Sequence, residues 1–309
     1  MSVPQLSRRD QAVHAGIRQS TLPVETRDGL VLDMGKAREL GNALSEQYRS
    51  ADPFPHVVID DFLPSDMAEA ILAHFPSAIR AGDVIYKDRL FEHNKRQVMP
   101  DYCDEYARRV FGFFNSAAVL GFLEALTKID GLIPDPYFEG SGFHEIATGG
   151  RLGLHADFRV HNKLRLHRRI NLLLYLNKNW DDGYRGHLEL WDRTGKRRVQ
   201  SIAPLFNRCV VFNTEKDSYH GHPDPLETPE GKTRKSIAMY YYTASERIYE
   251  ETPRHGTVFV ARPEDSGQAR RLAMKMKWKT YFSLPEILPP ILYRQLRALK
   301  ARWKSPPRA

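Results

Sequence analysis

Gly142-Phe-His-Glu-Ile146, Ile170-Asn-Leu-Leu-Leu-Tyr-Leu176, His187-Leu-Glu-Leu-Trp191, Arg208-Cys-Val-Val-Phe-Asn213 and Ser236-Ile-Ala-Met-Tyr-Tyr-Tyr242 are short runs rich in β-branched and aromatic residues. Gly, Pro, Asn and Asp turns separate them between Pro136 and Thr243, a spacing that predicts a β-sandwich or jelly roll. Upstream, His56-Val-Val-Ile-Asp60 reads as a further strand. Helical spacing is found over about Met34–Arg49, from Ser65 as N-cap through Phe75, and over about Asp101–Lys128. The expected fold is therefore α+β, with the helices packed on one outer face of the sheets. Four regions are expected: an extension over 1–50, a strand and helical support over 51–135, the β-core over 136–245 and a basic tail over 246–309.

Of the 309 residues, 41% are hydrophobic and 27% charged, the balance of a folded soluble chain. No run of about 18 apolar residues would span a bilayer. The opening residues lack the apolar core of a signal peptide, and two cysteines make no disulfide framework, so a cytoplasmic protein is expected. Twelve of the 46 Lys/Arg but three of the 38 Asp/Glu fall from Arg262 onward, leaving 34 and 35 before it. The near-neutral body is not a nucleic-acid surface. The basic excess lies beside Leu288-Pro-Pro-Ile-Leu-Tyr-Arg-Gln-Leu-Arg-Ala-Leu-Lys-Ala-Arg-Trp303, where a helix beginning near Pro290 would line up Leu292, Leu296, Leu299 and Trp303. Such a basic amphipathic segment, residues 288–304, suits peripheral contact with an anionic inner membrane surface; docking on the protein itself or dimerisation uses the same pattern.

The chemistry centres on Gly149-Gly-Arg-Leu-Gly-Leu-His155-Ala-Asp157. Strand residues two apart share a face, so His155 and Asp157 can converge on one ion. One more histidine completes two imidazoles and a carboxylate, a donor set suited to Fe(II) that leaves positions open for a co-substrate and O2. The candidates are His220 and His222 in Ser218-Tyr-His-Gly-His-Pro; His220 is favoured because Pro223 restricts the backbone of His222. A keto diacid such as 2-oxoglutarate, chelating through its keto end, would also need a fixed cation for its far carboxylate. Arg234, opening the last β run, offers a planar fork for that purpose, and Ser236 on the same face could add a hydroxyl.

Gly-Gly-x-Leu-x-x-His-x-Asp157, Arg169-Ile-Asn-Leu-Leu-Leu-Tyr-Leu-Asn-Lys-Asn-Trp180, Gly186-His-Leu-Glu-Leu-Trp191, Tyr219-His-Gly-His222 and Arg234-x-Ser236 occur in that order. The set resembles the prolyl-4-hydroxylase-like branch of the Fe(II)/2-oxoglutarate-dependent dioxygenases, over about a third of the chain. The resemblance implies a double-stranded β-helix core. It implies iron on His155, Asp157 and His220, and Arg234 with Tyr175 on the far carboxylate. It further implies a C–H hydroxylation releasing succinate and CO2, with Fe(II), 2-oxoglutarate, O2 and, as a candidate reductant, L-ascorbic acid. Arg185 replaces one of the family's paired glycines, and Arg234 follows His220 by fourteen positions.

Other residues carry plainer expectations. Trp180 and Trp191 read as core, Asn171 as a turn or core hydrogen bond ahead of a pocket-lining side chain, and the basic stretch Arg159–Arg169 as a solvated loop ahead of a grip on an anionic substrate such as an acidic sugar. The substrate is expected to be a small molecule, a peptide or a saccharide. Two alternatives stand beside a prolyl-type substrate: the same chemistry on a saccharide or lipid-linked sugar acid, and a metal-binding jelly roll without turnover. A zinc hydrolase is disfavoured, since no Glu base sits on a metal-binding helix.

Overall fold

The computed structural model describes residues 22–25, 30–79, 83–88, 90–245 and 256–281. β1 (Val24–Glu25) and β2 (Val31–Leu32) form a small ribbon ahead of α1 (Met34–Ser50). β3 (His56–Ile59), α2 (Ser65–Ala73) and the hairpin β4 (Val84–Asp88) and β5 (Glu92–Val98) follow. Next come α3 (Glu105–Phe114), α4 (Ala117–Thr127), β6 (Ile133–Pro134), β7 (Gly142–Ala156), β8 (His167–Tyr175), β9 (Leu188–Trp191) and β10 (Arg198–Ile202). β11 (Cys209–Asn213), β12 (His220–His222), β13 (Arg234–Thr243), β14 (Val258–Phe259) and α5 (Gly267–Tyr281) complete the order.

β7 organises the sheet because its two halves pair differently. Gly142–Ile146 pair with β13, which continues through β8 and β11 to β3, while Leu152 and His155 pair with β12, which continues through β9 to β10. The two halves thus belong to two layers facing each other, and the space between them is the mouth of the fold. This is the expected double-stranded β-helix. On its other edge β7 pairs with β5 and β14, so the hairpin ahead of the core forms a side wall.

Period-2 alternation sorts each central strand. Ile170, Leu172, Leu174, Cys209, Val211, Ile237, Met239 and Tyr241 pack outward into the large core made with α1 to α4. Their neighbours Tyr175, Val210 and Phe212 pack inward with Leu188 and Leu190. Gly41 of α1 lies so close to Phe122 and Ala125 of α4 that a Cβ there would collide with them, so glycine sets that helix crossing.

The helix expected over 101–128 is two helices with a short 3-10 turn before them. Asn115 ends α3, and the Ser116 hydroxyl accepts from Val119 N to start α4. A serine that can satisfy a free backbone N–H favours a new start over continuation. Ser65 is the first residue of α2 rather than its cap; Pro64 occupies that position. The helix expected from Pro290 lies outside the described residues. α5 was not anticipated; its Ala269 and Ala273 pack on Phe91 and Phe259.

Candidate active site

Register builds the floor of a pocket of about 310 Å³ between the layers. Across β5, β7 and β13 one row reads Lys95, Ile146, Arg234. The next reads Gln97, His144, Ser236, Tyr175, and further along lie Tyr240, Asn171 and Phe212. His155, Asp157, His220 and His222 enter from the opposite layer.

His155 and His220 are directly opposed across β7 and β12, and their donor atoms with those of Asp157 all lie within 4.8 Å of one another. The Nδ1 of His155 donates to Gly153 O at 2.8 Å, and that of His220 to Ser218 O at 2.9 Å. A carbonyl only accepts, so both Nδ1 atoms carry the proton and both Nε2 atoms present a lone pair. Each Nε2 stands 3.5 Å from an Asp157 oxygen. Burial, with His155 beside it, pushes His220 down to about 4, so its ring is neutral at pH 7. Electron pairs from two imidazoles and a carboxylate therefore converge on one point, an arrangement that a cation relieves. Three protein donors of mixed N/O type, with backbone carbonyls orienting the rings, fit Fe(II) with positions to spare.

Asp157 is held from behind. Its Oδ2 accepts from Asn171 Nδ2 at 2.7 Å and faces Arg168 Nη2 at 3.0 Å. Arg168 also donates through Nε and Nη2 to Asn171 Oδ1. Burial alone would raise this carboxyl, but Arg168, His220 and His155 outweigh it and hold Asp157 well below the usual carboxylate range. Arg168 reaches the pocket through a bulge: Ile170 opposes Tyr241 and Arg168 opposes Tyr242, leaving Arg169 as the extra residue. The guanidinium is then stacked 3.4 Å from the Tyr240 ring and 4.5 Å from that of Phe158, and the residue is 1% exposed.

At the other end, Arg234 is buried, with Nε on Gly186 O at 2.7 Å and Nη2 on Tyr175 OH at 3.2 Å. Gly186 has φ +70, and a Cβ there would collide with Leu226 and crowd the Arg234 side chain. Glycine is needed here, although its predecessor is Arg185. Burial raises the Tyr175 hydroxyl against the pull of Arg234, so it stays a neutral donor. Ser236 sits opposite Tyr175 and lines the pocket.

The sequence-predicted residues His155, Asp157, His220, Arg234, Tyr175 and Ser236 all line this one pocket. His222 lines it too but stands apart from the three-donor group. The stretch expected as a solvated loop is corrected at its end, since Arg168 belongs to β8 and is among the largest fully buried side chains. Asn171 makes the buried hydrogen bond expected of it, to Asp157, and also lines the pocket. Missed as well were Lys95, Gln97 and His144, whose charged or polar character reads as surface in a strand. Trp180 and Trp191 are core, as expected.

The family model described as the 2OG-Fe(II) oxygenase superfamily matches residues 141–242. Prolyl 3-hydroxylase OGFOD1 of Mus musculus is 27% identical over 202 residues, 63% of this chain and 34% of that one. Prolyl hydroxylase EGLN3 of Homo sapiens is 30% identical over 80 residues, 26% of this chain and 31% of that one. The chain thus spans about a third of the length of these curated relatives. A prolyl hydroxylase structure from Trichoplax adhaerens, in complex with a hypoxia inducible factor peptide fragment, has 18% identity and a TM-score of 0.49, covering 72% of this chain and 96% of that one. The β-core that carries the His155, Asp157 and His220 cluster is thus the part of the chain that matches the 2OG-Fe(II) oxygenase superfamily, and the curated relatives named above are prolyl hydroxylases.

Proposed function

We propose that this protein is an Fe(II)- and 2-oxoglutarate-dependent dioxygenase that hydroxylates a C–H bond, with His155, Asp157 and His220 as the metal ligands. The observation that carries the reading is the pairing of two ends in one pocket. Lone pairs converge at His155, Asp157 and His220, while the buried guanidinium of Arg234 with Tyr175 waits on the facing sheet. A metal-binding module without turnover has no use for that second end.

Bound iron, with the keto acid and O2, supplies the oxidising chemistry, with succinate and CO2 as the other products. The chain's own part is orientation. The Gly153 and Ser218 carbonyls fix both imidazoles with Nε2 toward the ion. Asn171 and Arg168 tie up Oδ2 of Asp157, leaving Oδ1 to ligate. Arg234 and Tyr175 anchor the far carboxylate, and the packed Phe212 and Phe259 rings beside His220 and His155 limit water. Purified protein loaded with Fe(II) should consume 2-oxoglutarate and yield succinate, and Arg234→Ala should raise the keto acid required without lowering iron content. Wild-type protein that neither retains Fe(II) nor forms succinate would refute the reading.

The named relatives are prolyl hydroxylases, which supports a prolyl or other peptidyl substrate. The outer wall supports a second substrate class, a hydroxyl-bearing saccharide or sugar acid. Lys95 reaches the pocket 3.5 Å from Glu92 and 5.1 Å from the Tyr86 ring centroid. His144 donates from Nε2 to Gly140 O at 2.9 Å, and burial followed by Lys95 pushes it down to about 3. Its Nδ1 is therefore an acceptor, beside an ammonium donor, which is the complement of a hydroxyl group. Succinate formation stimulated by prolyl peptides but not by sugar acids, and insensitive to Lys95→Met, would exclude this class. For location, we propose a cytoplasmic protein whose residues 288–304 touch an anionic membrane surface. Vesicle co-sedimentation that persists in a chain ending at residue 287 would remove that segment as the anchor.

A further inference from the structure

His222 is a buried titratable side chain that the reaction above does not use. It is 3% exposed, and neither ring nitrogen has a hydrogen-bond partner among the described residues. Burying an imidazole without partners is costly, and a pocket wall is the place where a bound molecule can meet that need. Gly221 lets β12 press against β7, since a Cβ there would meet the Gly153 and Leu152 carbonyl oxygens at 2.8 Å. A register shift between His220 and His222 then sets His222 opposite Leu152 and outside the three-donor group, with Arg234 the foremost charge acting on its ring. It lines the same pocket as Arg234 and Tyr175, and also borders a smaller cavity of about 140 Å³ that contains Gly186, the residue whose carbonyl holds Arg234.

Arg234 is already committed through Nε to Gly186 and partly through Nη2 to Tyr175. A carboxylate has two oxygens and about four acceptor sites, more than this pair fills. We infer that His222 is a third donor to the far carboxylate of the keto acid, beside Arg234 and Tyr175. This rests on the reading that the pocket takes 2-oxoglutarate. A small apolar residue at 222 would leave the metal end intact and loosen only the distal grip.

The test is anaerobic calorimetry on the full Fe(II)-loaded chain with two probes. 2-Oxoglutarate engages both ends of the pocket, whereas oxalate can chelate the metal but has no distal carboxylate. His222→Val should weaken 2-oxoglutarate by about 10- to 100-fold, the range for a hydrogen bond to a charged group. It should leave oxalate binding and iron content unchanged and raise the melting temperature of the metal-free chain, because an unpaired imidazole is gone. His222→Asn, which keeps an N–H donor, should recover part of the loss. Unchanged 2-oxoglutarate affinity in His222→Val, or equal loss of oxalate, overturns the inference while the proposed function stands. Wild-type protein that binds oxalate but not 2-oxoglutarate overturns both.

Discussion

The two faces of β8 and β13 make different demands on neighbouring residues. Outward, Ile170, Leu172, Leu174, Ile237, Met239 and Tyr241 are apolar or, for Tyr241, satisfied by Phe114 O at 2.9 Å. Inward, Arg168, Asn171, Tyr175, Arg234 and Ser236 are polar and equally buried. The outward face is stabilised by area removed from water. The inward face holds groups whose partners are one another and the molecules they bind. Stability and function are thus separated by one residue of register.

The largest expected break in that separation is Asp157→Ala. It should abolish metal binding and also destabilise the chain by about 3–5 kcal/mol, because buried Arg168 loses its carboxylate. The double variant Asp157→Ala with Arg168→Met should regain stability in urea titrations without regaining metal; if it stays as unstable as the single variant, the inward ion pair is not the cause. Arg234→Ala should weaken the keto acid by roughly 30- to 1000-fold with iron content unchanged, read by calorimetry. On the other face, Leu172→Ala should cost about 2–5 kcal/mol of unfolding free energy while its folded fraction binds metal normally. A loss of metal at that position would show the faces to be coupled.

The smallest expected effect is a pH slope. His144 lies at about 3 when folded against an ordinary 6.5, so the unfolded chain takes up the extra proton first. Its contribution is complete above pH 6.5 and is lost as pH falls from there toward 3. The melting temperature of the metal-free chain should drop across that window, and less steeply in His144→Gln. Equal slopes in the two proteins would remove His144 as a source.

The sequence made the spacing of the β-core and the meeting of His155 with Asp157 readable because strand period alone places them together. It left His220 and His222 less separable, since the difference between them is a register shift around Gly221 that composition does not encode. The bulge at Arg169 hid Arg168 for the same reason. The β5 wall was missed because Glu92-His-Asn-Lys-Arg-Gln has no apolar alternation, its polar residues facing a pocket rather than solvent. A continuous apolar stripe over 101–128 likewise concealed the break at Ser116, where one hydroxyl outweighs the periodicity.

β7 carries one end of the pocket on Ile146, beside Arg234, and the other on His155, beside His220. Between them the strand turns through Gly149, at φ +76, and Gly150, where a Cβ would strike Ile146 and the Ala147 carbonyl. The spacing between His155 and Arg234 is therefore gauged by a single stretch of backbone whose curvature two glycines lock. Whatever straightened that bend would shift His155 relative to Arg234, so one short piece of backbone sets the span of the whole pocket.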